Sequence, residues 1–208
     1  MPALIGQYDS PFVRRVAIAM DLYGIGYEHR PWSTFGDAEL MGTVNPLRRV
    51  PVLLLDNGEA LIESFAILDW LDEAVGPDVA LIPRGGEVRR RALKVCALAT
   101  GMADKAVGLL YELLLHDTTS DVWVARCRTQ IAATLDALES GRGDAPYWFG
   151  DRIGHADIAV TCALRFVREA HGDLFDPTRW PALDRHAQRC EALPPFQRIV
   201  QPLSPPKR

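Results

Sequence analysis

Residues 45–75, NPLRRVPVLLLDNGEALIESFAILDWLDEAV, contain the pattern that decides the predicted fold. The apolar run at residues 52–55 begins with a β-branched residue and predicts a short buried strand. Asp56-Asn57-Gly58 is typical of a tight hairpin, and residues 59–62 predict the returning strand. A helix is expected from Glu63-Ser64 onward, because apolar residues then recur at three- and four-residue spacing until a Gly-Pro pair ends the pattern.

Two corners of this unit suit a short extended peptide with a charge at each end. Pro51 keeps the preceding residue extended, so the amide and carbonyl of Val50 are available to pair with a peptide. At the start of the helix, the free N–H groups and the hydroxyl of Ser64 favour a carboxylate, while Glu63 could hold an ammonium group. Each corner also has a purely structural interpretation, because Val-Pro often opens a strand and Glu-Ser often only caps a helix.

The same residues resemble a motif of the cytosolic glutathione transferase superfamily. Its N-terminal thioredoxin-like domain carries the pattern NPxGxVPxLxxxxGxxLxES. The positions that match it here are Asn45, Pro46, Val50, Pro51, Leu53, Gly58, Leu61, Glu63 and Ser64. The resemblance implies a cis peptide bond before Pro51. The sequence departs from the pattern at Arg48, where the family usually has Gly, so we expect the turn before Arg49 to be strained or differently shaped.

The elements before this unit complete the thioredoxin-like order of the resembled family. Residues 4–8 predict a first strand, and Ser10 followed by Pro11 predicts the capped start of a helix that ends near Tyr23. Residues 27–31 predict a second strand, and the polar segment 33–44 contains at most one short helix. The predicted order is therefore strand, helix, strand, helix, strand, strand, helix.

Beyond a Gly- and Pro-rich linker at residues 76–86, all predicted elements are helices. The expected fold is an α/β N-terminal thioredoxin-like domain, residues 1–76, followed by an all-α helical-bundle C-terminal domain, residues 87–203. Its predicted helices cover residues 87–116, 121–140, 154–171 and a segment after Pro181. The Pro-rich tail, residues 202–208, is expected to be poorly ordered.

Residues 150–157 resemble the internal capping motif of the same family, GDxxSxAD. Asp157 stands three residues after the cap position, as a capping box requires. Gly154 replaces the usual Ser or Thr, which removes the side-chain cap at a cost of a few tenths of a kcal/mol. The neighbouring His155 is interpreted as a surface histidine without a functional role.

Ser10 is the residue to which the resemblance assigns the activating role. The segment SPFVR at residues 10–14 resembles that of bacterial family members with serine. A hydrogen bond from the Ser10 hydroxyl and the positive end of the helix would lower the pKa of a bound thiol. The alternative role of Ser10 is a plain helix cap. Redox chemistry through an enzyme thiol is excluded in this domain, because residues 1–95 contain no cysteine.

The resemblance also implies a binding site for glutathione as co-substrate. The glutathione-binding residues would be Phe12, Val13, Arg49, Val50, Pro51, Glu63 and Ser64. Val50 would pair with the cysteine backbone of the tripeptide, and Arg49 would lie near its glycine carboxylate. The electrophile is expected between the domains, against Phe12, Met102, Lys105 and Leu109, although these residues also suit core positions.

Composition restricts the other partners. Residues 1–80 contain 5 Arg and 12 Asp and Glu, and residues 81–208 contain 18 Lys and Arg and 15 Asp and Glu, so neither half resembles a nucleic-acid-binding domain. No apolar run approaches the ~20 residues of a membrane helix, and no export signal is visible, so a cytoplasmic protein is expected. The four cysteines lie too far apart for a disulfide framework or a zinc site, and no metal is expected.

The resemblance therefore implies a glutathione transferase that acts on a small, hydrophobic electrophile. It also implies a homodimer, with Arg89-Arg90-Arg91 as a candidate contact. Two alternatives remain open. One is a non-catalytic or regulatory protein of the same fold, and the other is an isomerase or dehalogenase that uses the same thiolate.

Overall fold

The predicted thioredoxin-like order is confirmed in the first part of the chain. The computed structural model of the protein describes residues 1–206. The elements of the first part are β1 (Ala3–Ile5), α1 (Pro11–Leu22), β2 (Glu28–Arg30), α2 (Ala38–Gly42), β3 (Val52–Leu54), β4 (Ala60–Ile62) and α3 (Ser64–Val75). The strands form one sheet in the order β2-β1-β3-β4, in which only the β1–β2 pair is parallel.

The strands are shorter than the sequence predicts, and Gly6 shows why β1 ends early. Gly6 has a φ of 125°, a backbone conformation that favours glycine. A Cβ atom at this position would lie 2.5 Å from Cγ2 of Val13 and 2.8 Å from Cβ of Val50. The chain therefore leaves the sheet at Gly6 and brings the start of α1 and the Val50 turn close together.

The second part of the chain is helical, as predicted, and contains one helix that the sequence did not indicate. Its helices are α4 (Gly86–Leu115), α5 (Asp121–Gly141), α6 (His155–Ala170), α7 (Pro181–Glu191) and α8 (Pro194–Arg198), with a 3-10 turn at Gly172–Leu174. Helix α8 has only five residues and begins with two prolines, so it is too short to show a helical period. Its Phe196 is fully buried.

Helix α1 lies between the sheet and the helical part. Its residues 16–20 are all fully buried. Val13, Val16 and Met20 share a hydrophobic cluster with Leu4 of β1 and with a set from the helical part: Ile158, Cys162, Cys190, Phe196 and Ile199. The four cysteines are buried and unpaired, in agreement with the expectation that they form no disulfide framework.

Arg14 fastens α1 to the end of the chain. Its guanidinium group donates two hydrogen bonds to the Glu191 carboxylate, at 2.6 and 2.7 Å. It also donates to the carbonyl oxygens of Ile199, at 2.8 Å, and Phe196, at 3.0 Å. Arg14 is only 1% exposed, so its charge depends on these four acceptors.

His155 corrects the interpretation of a surface histidine without a role. It is 4% exposed, and its Nε2 lies 2.9 Å from the nearer carboxylate oxygen of Asp72 in α3. The Tyr23 hydroxyl donates to the same carboxylate. The pKa of His155 is lowered, chiefly because burial disfavours its charged form. His155 therefore joins the two parts of the chain through a buried polar contact.

The same region, where the two parts of the chain meet, explains why Gly154 replaces the Ser or Thr of the capping motif. A Cβ atom on Gly154 would lie 2.8 Å from the carbonyl oxygen of Leu81 in the linker. The N–H of Gly154 still donates to the Asp157 carboxylate at 2.8 Å, so half of the capping box is kept. The linker thus approaches α6 too closely for the usual Ser or Thr.

The structure also corrects the prediction that the Pro-rich tail is poorly ordered. Residues 202–206 form no helix or strand, but they are held by hydrogen bonds to carboxylates. The N–H of Leu203 donates to Glu169 at 3.0 Å, and the N–H of Ser204 donates to Asp9 at 2.9 Å. The prediction of poor order is therefore wrong for residues 202–206, and residues 207–208 lie outside the described part of the chain.

Arg14→Met should lower the free energy of unfolding by about 3 kcal/mol, because it leaves Glu191 and two carbonyl groups without their buried partner. Urea denaturation gives the value. Arg198→Ala is the matched control, since it breaks an ion pair with Asp21 whose arginine side chain is 60% exposed. We expect that control to change stability by no more than about 0.5 kcal/mol. Equal effects of the two substitutions would contradict the role of Arg14.

Candidate active site

A cavity of about 570 Å³ lies between the sheet and the helical part. Its floor is the turn before α1 together with the first two residues of that helix, Pro11 and Phe12, and one side is the segment from Arg48 to Val50. The opposite side comes from α4, and Phe166 of α6 adds to it. The loop after β2 (residues 32–36) and the tail (residues 203–206) cover the remaining sides. A volume of this size suits a small organic ligand.

Ser10 stands at the floor of this cavity, at the N-terminus of α1. Its Oγ accepts a hydrogen bond from the N–H of Val13 at 3.4 Å, which is long for such a bond. This cap uses an oxygen lone pair and leaves the hydroxyl proton available to another acceptor. The two predicted roles of Ser10, helix cap and donor to a thiolate, are therefore compatible.

The turn before Val50 is strained. The Val50-Pro51 peptide bond is cis, which confirms the prediction from the family resemblance. Arg48 has a φ of 50°, a conformation that residues with a side chain rarely adopt, and this position is where the family usually has Gly. The predicted strain before Arg49 is therefore present in the structure.

Asn45 holds this turn, a role that the sequence alone does not reveal. Its side-chain amide donates to the carbonyl oxygen of Arg49 at 2.8 Å, and its Oδ1 accepts from the N–H of Leu47 at 3.0 Å. Asn45 is 1% exposed. The signal was present as the first residue of the family motif, but the motif alone does not reveal these bonds.

Glu63 and Ser64 lie at the start of α3, beside the cavity but not in its lining. Glu63 has a φ of 66° and makes no side-chain cap, while Ser64 is buried. Nη1 of Arg49 lies 3.7 Å from the Glu63 carboxylate, and Nη2 of Arg49 lies 3.4 Å from Asp104 of α4. These three charged side chains are each about half exposed, so we expect the pairs to be weak and easily exchanged.

Of the remaining predicted glutathione-binding residues, the structure places Phe12, Arg49 and Val50 in the cavity lining. Val13 and Pro51 are buried and do not line the cavity. Val13 instead contributes its N–H to the Ser10 cap. Val13 and Pro51 are therefore not part of the cavity surface, although each directly follows a lining residue, Phe12 or Val50.

The face of α4 that borders the cavity differs from the predicted one. Met102 and Leu109 are 1% and 0% exposed and pack in the helical core. The Nζ of Lys105 lies over the Trp123 ring, 5.4 Å from its centroid. The α4 residues that line the cavity are Asp104, Val107, Leu110 and Tyr111. The sequence failed here because apolar periodicity identifies the face of a helix that packs in the core, not the adjacent face that borders a cavity.

Two aromatic rings meet at one edge of the cavity. Phe35, in the loop after β2, packs edge-to-face on Tyr111 of α4 with ring centroids 5.2 Å apart. With Phe12, Trp32 and Phe166, these rings place five aromatic side chains in a lining that also contains polar and charged residues. Aromatic side chains favour contact with a flat apolar ligand.

Asp9 supplies a carboxylate next to Ser10. Burial raises its pKa, although N–H groups, including those of Ser204 and Ser10, act in the opposite direction.

Within residues 1–206, no group of three or more His, Cys, Asp or Glu side chains could hold a metal ion. None of the helices in that part of the chain is both long and apolar enough to cross a membrane.

The sheet, the helical bundle and the position of the cavity define the class of this protein as a thioredoxin-like domain with an added all-helical part. The family model described as glutathione S-transferase, N-terminal domain, matches residues 4–78, and the one described as glutathione S-transferase, C-terminal domain, matches residues 121–189. The chain belongs to the glutathione S-transferase family.

Individual relatives agree with this membership. Maleylacetoacetate isomerase of Pseudomonas aeruginosa is 32% identical over 200 residues, which cover 91% of each chain. A glutathione S-transferase from Methylobacterium radiotolerans, solved in complex with glutathione sulfonate, has a TM-score of 0.93 at 30% identity and covers 100% of this chain and 98% of its own. A glutathione transferase family member from Pseudomonas fluorescens with bound glutathione has a TM-score of 0.85 at 29% identity, with 98% and 100% coverage.

The strained turn at Arg48 is testable by substitution. Arg48→Gly and Arg48→Ala both remove the exposed ion pair with Glu39. The difference in stability between the two variants therefore reports the strain of the backbone at this position. Glycine adopts positive φ freely, whereas alanine retains the strain, so the glycine variant should be more stable by about 1 kcal/mol. Urea denaturation of both variants measures this difference. Equal stabilities would show that the turn relaxes to another conformation.

Proposed function

We propose that this protein is a glutathione transferase that joins glutathione to a small, hydrophobic electrophile. The observation that carries the proposal is the cavity that brings Ser10, the Val50 turn and the aromatic rings together. Glutathione and glutathione sulfonate in the two solved relatives support the choice of co-substrate. In the proposed reaction, the glutathione thiol loses its proton to water, and the thiolate attacks an electrophilic carbon to form a C–S bond as the leaving group departs with the electron pair of the bond that breaks.

Residues 1–76 would bind glutathione and residues 87–203 would complete the electrophile site. Val50 would pair with the cysteine backbone of glutathione, because its preceding turn presents it to the cavity. Glu63 and Ser64 would hold the γ-glutamyl end, and Arg49 would bind the glycine carboxylate after exchanging its weak partners. The thiolate would then lie at Ser10 and the N-terminus of α1, where a hydroxyl proton and free N–H groups stabilise negative charge.

A second candidate function is isomerisation, which the relation to maleylacetoacetate isomerase favours. A thiolate that adds to a carbon–carbon double bond leaves a single bond that can rotate, and expulsion of the thiolate then restores the double bond. Conjugation consumes glutathione, whereas isomerisation returns it. Measuring free thiol during turnover of a candidate substrate therefore distinguishes the two reactions.

The proposed cytoplasmic protein would be a homodimer. Residues 1–80 have an excess of seven acidic side chains, so they could face the more basic remainder of a partner. Arg89 is already bonded to Asp69 and to the carbonyl of Pro83. The exposed Arg90 is therefore the better candidate contact in the predicted cluster.

Sedimentation at micromolar concentration should give the mass of a dimer. Arg90→Glu should weaken the association, because it places a like charge against an acidic surface. Arg185→Glu is the matched control, because it reverses the charge of an exposed arginine in α7, outside the predicted cluster, and it should have no such effect. A monomeric mass for the unmodified protein would reject the dimer.

Glu63→Ala and Ser64→Ala should each weaken glutathione binding by about 1 to 3 kcal/mol, because each removes one partner of a charged end group. Isothermal titration calorimetry measures the affinity. Glu59→Ala is the control, since Glu59 is an exposed carboxylate in the hairpin before β4. Unchanged affinity in both site variants would mean that the γ-glutamyl end binds elsewhere. No binding by the unmodified protein would reject the proposed function.

Ser10→Ala should raise the pKa of bound glutathione and lower turnover while changing affinity little, because the end groups still anchor the tripeptide. Each pKa unit corresponds to about 1.4 kcal/mol, and a fall in turnover of about tenfold or more should follow if the thiolate fraction limits the rate. Ultraviolet absorbance of the thiolate against pH gives the pKa.

Ser120→Ala is the matched control for this substitution. Ser120 caps α5 through the N–H of Trp123 at 3.3 Å, much as Ser10 caps α1. Both variants should lose about 1 kcal/mol of stability, but only Ser10→Ala should change the thiol titration. Identical titration curves in Ser10→Ala and the unmodified protein would leave Ser10 as a structural cap and favour a non-catalytic binding protein.

A further inference from the structure

The tail forms part of the cavity wall although it contains no regular structure. After α8, residues 201–206 cross the turn before α1, and residues 203–206 border the cavity. The Leu203 side chain packs against the helical core, while Pro205 and Pro206 complete the edge beside Ser10 and Asp9. We refer to residues 201–206 as the strap.

The strap is attached by three hydrogen bonds to two other elements. Oε1 of Gln201 accepts from the N–H of Tyr8 at 3.2 Å. The N–H of Ser204 donates to Oδ2 of Asp9 at 2.9 Å, so two of the three bonds reach the turn before α1. The third joins the N–H of Leu203 to Glu169 of α6 at 3.0 Å.

Few other main-chain bonds are available to the strap. Pro202, Pro205 and Pro206 have no N–H group, so the strap has only three main-chain donors, and those of Leu203 and Ser204 bind carboxylates. Hydrogen bonds to carboxylates are stronger than those between neutral groups. The closed position of the strap therefore depends on a small number of replaceable side chains.

Asp9 and Glu169 differ in how firmly they are held. Glu169 is also paired with Arg165 in the same helix, at 2.7 Å, so its carboxylate keeps a cationic partner when the strap moves. Asp9 accepts mainly from N–H groups around the start of α1, and burial raises its pKa. Of the three attachments, the bond between Asp9 and Ser204 involves the residue next to Ser10 in the chain, and both of its members line the cavity.

We propose that the strap is a movable wall of the cavity and that Asp9 holds it closed through the N–H of Ser204, so that the strap limits the size of the electrophile that enters. Asp9 is a positioning residue in this proposal, because it acts through the strap. The statement on size rests on the proposed function, since it treats the cavity as the electrophile site. The movement of the strap does not depend on catalysis.

Hydrogen exchange tests the attachment directly. Mass spectrometry should show that the amides of Leu203 and Ser204 exchange about fivefold faster in Asp9→Ala than in the unmodified protein. This factor corresponds to the loss of one hydrogen bond of about 1 kcal/mol. Asp9→Asn keeps an acceptor oxygen and should retain most of the protection. Gln201→Ala removes the other bond to the same turn without touching Asp9 and should also speed exchange. Amides within α1 report any general loss of structure.

Size selection is tested with two electrophiles that both lose chloride to the glutathione thiolate, 1-chloro-2,4-dinitrobenzene and the larger 9-(chloromethyl)anthracene. The ratio of kcat/KM for the larger to the smaller should rise about fivefold in Asp9→Ala and in Gln201→Ala. Gln201→Ala keeps the Asp9 carboxylate, so a rise in the ratio in both variants separates the effect of the strap from a change in thiolate reactivity near Ser10. A chain that ends at Pro202 should give the same increase, and one that ends at Pro206 should not.

Unchanged exchange at Leu203 and Ser204 in Asp9→Ala and Gln201→Ala would overturn the proposal. Faster exchange with an unchanged substrate ratio would overturn its statement on size. If the unmodified protein converts neither chloride, the proposed function fails, and the exchange measurements still decide whether Asp9 holds the strap.

Discussion

The burial of α1 between the sheet and α6 is the constraint on which the candidate site depends. Residues on every side of this helix are excluded from solvent, so its N-terminus cannot shift without disturbing the hydrophobic cluster that joins the sheet to the helical part. Gly6 places that N-terminus against the Val50 turn, and Arg14 ties the next turn of the helix to the end of the chain. Ser10 is thus positioned by rigid packing, which is the condition that precise binding of a reactive group requires.

The strain in the structure lies at the two corners that were predicted to bind a short peptide. Arg48 and Glu63 are the non-glycine residues with positive φ in the described part of the chain. Such conformations cost of order 1 to 3 kcal/mol each and persist only where the surroundings impose them. The two bonds of buried Asn45 impose the first, and the packing of Ser64 at the start of α3 supports the second. Their position beside the cavity agrees with a role in binding.

The sequence predicted the features that short segments encode. The capped start of α1, the hairpin and the cis bond before Pro51 each depend on a few adjacent residues. The contacts that it missed join distant parts of the chain: His155 to Asp72, and Ser204 to Asp9. A histidine in the first turn of a helix gives no sign of a partner 83 residues away, and a Pro-rich tail gives no sign that carboxylates will bind its N–H groups. The cavity face of α4 was missed for a different reason, because the strongest apolar period marks the core.

The charge around Ser10 connects the strap to the chemistry of the site. The N-terminus of α1 and the hydroxyl of Ser10 favour a thiolate there, whereas the nearby Asp9 carboxylate opposes it. When the strap is closed, the N–H of Ser204 binds Asp9 and offsets part of its negative charge. In the proposed movement, opening the strap would remove that N–H and expose Asp9 to water, which would screen the carboxylate charge but would also reach a thiolate bound at Ser10. Closure over a bound ligand would therefore exclude water while the carboxylate beside Ser10 remains hydrogen-bonded.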